Sequence, residues 1–114
     1  MTDIKVIYYV STSNQSISEI INHIRTKNDI KVDIEKENDY YFMGYTFLAD
    51  DGNVYVIVTD KKISTYLHET LHAVRFIFEE MDMCHDSNTD EMFVRMFDFI
   101  VENTISDFMG LLKW

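Results

Sequence analysis

In the stretch YLHETLHAV, two histidines stand four residues apart with a glutamate directly after the first, so that His68, Glu69 and His72 form the pattern HExxH. On a helix, side chains four residues apart project only ~40° from one another on consecutive turns, and two imidazoles so placed can share one ion. Zinc accepts neutral imidazole nitrogens at about 2.0 Å in a tetrahedral shell, a separation that adjacent turns supply without bending the backbone. Glu69 projects about 100° round from His68, within reach of a water on such an ion and not of its inner shell, which is where a general base belongs. The competing reading makes both histidines ordinary half-buried rings and leaves Glu69 solvated.

A catalytic zinc takes three protein ligands and a water, so a third ligand must come from elsewhere. His23 and His85 have no partner at helical spacing and read as structural or exposed. Glu91 is the best candidate. With Arg95, Asp98 and Glu102 it forms one polar line on an otherwise strongly apolar helix. If that line faces the histidines, Glu91 ligates, and Asp98 or Arg95 orients a ring or a carboxylate behind it. Asn88 with Glu91 also matches a capping box, which would fold the carboxylate back onto its own helix start; Asp90 and Asp86 are then the fallback ligands.

The elements that must position these groups follow from periodicity. Residues 4–10, IKVIYYV, are β-branched and aromatic and stop at a polar cluster, as a strand followed by a loop does. Ser16 with Glu19 fits a capping box opening a helix whose Ile17, Ile20, Ile21 and Ile24 form one apolar stripe and which ends near TKND. IKVDIE alternates like a strand with one wet face, and YYFMGYTFLA and VYVIVT, flanking DDGN, read as a buried hairpin. A second helix is expected from just after Thr59 or Asp60 to about Met81, with Ile63, Leu67, Leu71, Val74 and Phe78 in a stripe roughly 130° from the histidines. A third runs from near Asn88 towards Gly110, and its MFVRMFDF segment reads as core packing. The order is strand, helix, three strands, two helices, an α+β chain in one domain over residues 1–114.

Bulk composition narrows the function classes. The formal charge of −10 repels phosphate backbones and anionic lipid alike, so neither nucleic acid nor a membrane is an expected partner. Mimicry of DNA charge is a weak alternative, because the carboxylates are spread along the chain. A single cysteine, Cys84, forms no intrachain disulfide and suits a reducing cytosol, its thiol read as a small, partly buried side chain. The amino-terminal run has no basic leader and no segment approaches a membrane span, so a soluble, cytoplasmic protein is expected.

HETLH, followed eighteen residues later by DE opening an apolar helix, resembles the gluzincin metallopeptidases and is similar to small phage-encoded HExxH proteins. The resemblance covers about residues 40–110. It implies a small zincin-like domain with a short, mostly antiparallel sheet packed on the HExxH helix and a following glutamate helix. It also implies Zn²⁺ held by His68, His72 and Glu91, peptide hydrolysis, and an extended peptide or protein substrate along an edge strand. One departure is that many gluzincins carry ExxxD on the glutamate helix, whereas Arg95 stands at the aspartate's place and Asp98 comes one turn late.

The resulting expectation is a zinc metallopeptidase with Glu69 as base, substrate pairing along the edge of VYVIVT or of the strand before it, and Tyr66 or another tyrosine stabilising the oxyanion. The alternative is a non-enzymatic acidic protein of phage type that binds a host protein. Its metal would be absent, or structural with a fourth ligand from His85, Cys84 or Asp86. The tail MGLLKW is expected to pack in the ordinary way.

Overall fold

Branched and aromatic residues suit a pleated, half-buried surface, and they form three strands, β1 (Val6–Val10), β2 (Gly44–Leu48) and β3 (Val54–Val58). With α1 (Ile17–Asn28), α2 (Ile63–Glu80) and α3 (Asp90–Leu111) they give the order β1-α1-β2-β3-α2-α3. The computed structural model describes residues 4–11, 16–30 and 43–111. The expected strand IKVDIE after its first residue Ile30, the start of YYFMGYTFLA and the end of the tail MGLLKW lie outside the described residues.

The Ser16 hydroxyl accepts from the Glu19 N–H at 3.2 Å and starts α1, whose four isoleucines are all buried. In the sheet, order β1-β3-β2, β1 pairs parallel with β3 (Val6 opposite Val54) and β2 pairs antiparallel with it (Thr46 opposite Val56). The sheet is therefore mixed and not mostly antiparallel. The crossover containing α1 lets β1 and β3 run the same way, whereas the short turn at Gly52 (φ 83°) can only reverse the chain. VYVIVT supplies the central strand, which corrects the expectation that a partner could pair along it. Free edges among the described strands belong to β1 and β2.

Both faces of β3 are covered. Tyr55 and Ile57 pack with Phe47 and the α1 isoleucines, while Val54, Val56 and Val58 pack with Tyr66, Ala73 and Phe108. Helices α2 and α3 run antiparallel on this second face, since Tyr66 stacks on Phe108 at 4.4 Å and Phe78 meets Phe93 edge-on at 5.1 Å. The buried face of α2 carries Tyr66, Glu69, Thr70, Ala73, Val74 and Phe78. It is turned from the expected stripe, leaving Ile63 and Leu71 exposed. Thr70 and Ala73 are small enough to let the helix lie close on the sheet, a property that counting apolar residues does not register. No helix among the described residues is long and apolar enough to cross a membrane.

Candidate metal centre

Residues of β2 whose backbone faces α2 form the floor of the HExxH site. Gly44 leaves no room for a side chain, because a Cβ there would lie 2.8 Å from Glu69 Cγ and 2.8 Å from Thr65 Cγ2. Under this cover Glu69 is buried, and an unpartnered carboxylate there would be costly. Thr46 Oγ1 meets that need by donating to Glu69 Oε1 at 2.7 Å. The bond fixes the carboxylate and leaves Oε2 turned towards His68, 3.9 Å from its Nε2.

The imidazoles of His68 and His72 meet at their Nε2 atoms, 3.2 Å apart, with ring centroids at 4.8 Å. Two ligand atoms on a tetrahedral zinc with bonds near 2.0 Å lie about 3.3 Å from one another, so the pair has a spacing that suits a shared ion and equally a hydrogen bond between the rings. Glu69 Oε2, at 3.9 Å, stands outside that shell and at the range of a base acting on a water. Among the described residues, His68, Glu69 and His72 are the one group of three such side chains whose ligand atoms lie within 4.8 Å of one another.

His68 is open to solvent and His72 is half-buried. Burial of the His72 ring pushes its imidazolium below the ordinary value of 6.5, with Arg75 and His68 acting in the same direction and Glu69 opposing them. A neutral ring has one lone pair, on whichever nitrogen carries no hydrogen. Arg75 Nη2 sits 2.7 Å from His72 Nδ1, on the side of the ring away from His68.

The other sequence candidates are not brought to this group. Glu91 is exposed and pairs with Arg95 Nε at 2.9 Å. It lies two residues before Phe93, which packs against Phe78 at the far end of α2. His72 is six residues short of Phe78, or about 9 Å along the axis at ~1.5 Å per residue. The face of α2 that meets α3, through Tyr66, Val74 and Phe78, is also roughly 150° round the helix from the histidines at ~100° per residue. Arg95 and Asp98 sit on the same exposed line. Nor is Glu91 a cap, since α3 begins at Asp90 and the Glu91 carboxylate is committed to Arg95.

His85 stacks on Phe93 at 4.0 Å and bonds to Asp90 at 2.6 Å, while Asp86 Oδ1 accepts from the Asn88 and Thr89 N–H groups, so both shape the turn into α3. Cys84 is exposed, not partly buried, since Met83 beside it takes the inward place against the Val74, Phe78 and Ile100 cluster. Tyr66 is wholly buried with its hydroxyl bonded to Thr104 between α2 and α3, which removes it as an oxyanion donor. His23 lies on α1 against Tyr9. Sequence reasoning missed Gly44 and Thr46, whose roles depend on how β2 lies over α2. It also missed Arg75, which i,i+3 spacing from His72 could have revealed.

Comparison with family models, with curated proteins and with solved structures gives no match.

Proposed function

We propose that this protein is a zinc-dependent peptide hydrolase of zincin-like type, in which His68 and His72 hold the ion and Glu69 moves the proton. The observation that carries the reading is the 3.2 Å approach of the two Nε2 atoms beside a buried carboxylate at 3.9 Å. It rests on those three residues and not on Glu91, so the gluzincin ligand set is left without its third member among the described residues.

When bound, zinc supplies Lewis acidity, polarising a carbonyl and acidifying water. Glu69 Oε2 accepts the proton of the attacking water and returns it to the departing amine, while Thr46 holds Oε1 and so keeps the other oxygen on station. Peptide is the substrate class that fits the neighbouring strand edge. In the antiparallel β2–β3 ladder, Thr59 N–H bonds to Met43 O and Ala49 N–H to Asn53 O. Alternation then turns the main-chain groups of Gly44, Thr46 and Leu48 outwards, where an extended chain can pair beside Glu69.

Elemental analysis of purified protein should find about one zinc per chain, lost in His68→Ala and His72→Ala. Glu69→Gln should keep the metal and lower cleavage of an unfolded protein by at least about a hundredfold, in line with general-base loss. Zinc-loaded Glu69→Gln that cleaves as fast as the parent would sink the assignment.

The alternative, an acidic phage-type protein that binds a host protein, draws support from exposed Phe99, Met92 and Met81 and from the net charge. It predicts that binding survives removal of both histidines.

A further inference from the structure

The guanidinium at His72 conflicts with metal binding as the ring now stands. Arginine has five N–H donors and no acceptor, so the 2.7 Å contact between Arg75 Nη2 and His72 Nδ1 makes Nδ1 the acceptor. A neutral imidazole accepting at Nδ1 carries its hydrogen on Nε2. That Nε2–H points at His68 Nε2, 3.2 Å away, and donates to it. Both lone pairs that an ion would need are therefore engaged, one replaced by a hydrogen and the other accepting it. A histidine that ligates through Nε2 carries its hydrogen on Nδ1 and donates it to a carboxylate, carbonyl or water. A guanidinium can take none of those places.

We propose that Arg75 is a latch on this site: it holds His72 in the tautomer that cannot bind metal, and loading requires the guanidinium to leave and the hydrogen to cross from Nε2 to Nδ1. The proposal rests on the metal reading above and concerns its regulation. Proton balance is simple, since a water at the vacated Nδ1 side can accept the new Nδ1–H while Nε2 is deprotonated to solvent, with no net change in the ring. The guanidinium has somewhere to go, because Glu79 lies four residues on along α2 and is exposed like Arg75. Arg75 is a positioning residue in this account and touches neither ion nor substrate.

The test compares the parent with Arg75→Ala and Arg75→Gln. Glutamine offers an amide oxygen that can accept from Nδ1–H. Zinc affinity is measured by competition with a chromophoric chelator, and the His72 tautomer of metal-free protein by ¹⁵N chemical shifts of the imidazole nitrogens. The expected parent tautomer is Nε2–H, shifting towards Nδ1–H in both variants, with zinc bound roughly tenfold tighter, the scale of outer ligand contacts. Affinity gained without that shift would be an effect of charge alone and overturns the latch. Equal or weaker affinity in the variants overturns it as well. If the parent takes up no zinc while Arg75→Gln does, the latch stands and is tighter than proposed; if neither does, the metal reading fails and the latch with it.

Discussion

At the residue scale, the site depends on one absent side chain and one hydroxyl. Gly44→Ala would push a methyl to 2.8 Å from Glu69 Cγ, so the carboxylate must turn and give up its bond from Thr46. The expected outcome is a stability loss of about 1–3 kcal/mol, as for other overpacked sites, and a proportionally larger loss of cleavage, read by urea titration beside a peptidase assay. His72 carries a pH signature. Its folded value lies below the unfolded 6.5, so the unfolded chain binds more protons between the two, and stability falls as pH drops below about 6.5 and levels off beneath the folded value. Urea titrations of metal-free protein across that range should show this slope in the parent and a shallower one in His72→Gln. Glu91 is legible in the sequence as a polar group on an apolar helix, yet its i,i+4 partner Arg95 claims it locally.

At the element scale, α2 is held between the sheet and α3, and this decides which of its faces carries the histidines. Tyr66 and Phe78 fasten its two ends to α3 through Phe108 and Phe93. Between them runs a buried chain of hydroxyls, with Tyr8 OH 2.7 Å from Thr70 Oγ1, which in turn donates to the Tyr66 carbonyl at 2.7 Å. Phe78→Ala should cost about 3–5 kcal/mol by loss of buried ring and the cavity left. It should do so without lowering zinc affinity under conditions where the variant is folded, because the ring lies about 9 Å along the axis from His72 and packs on Phe93 of α3, not on the histidines. Calorimetry together with chelator competition checks both halves, and a matched loss of affinity would mean that α3 does contribute to the site. Periodicity revealed that α2 is amphipathic but placed its inner face through Leu71, whereas packing chose Thr70 and Ala73. Side-chain hydropathy does not record how closely two backbones approach.

At the scale of the whole molecule, the site meets the interior only at Glu69, while both histidines lie outside it. Apolar side chains fill both faces of β3 and the α2–α3 seam without a contribution from His68 or His72, and the fold is expected to hold without an ion. Chelator-treated protein should therefore keep its far-ultraviolet circular dichroism and unfold cooperatively. Added zinc should raise its stability by mass action, about 2.7 kcal/mol at a hundredfold excess over Kd. A chain that unfolds on chelation would instead point to a structural ion. By itself the sequence determined what depends on neighbours close along the chain: the capped α1 with its four isoleucines, the strand character of β1 and β3, and the pairing of His68 with His72 on adjacent turns. Tertiary structure decided what depends on distant segments meeting: the central place of β3, the Gly44 and Thr46 cover over Glu69, and the antiparallel register of α2 and α3 that carries Glu91 away from the histidines. The reason is physical. Helical spacing is fixed by local backbone geometry, whereas the third dimension is set by which apolar faces find one another, and many sequences with the same local pattern would bury them differently.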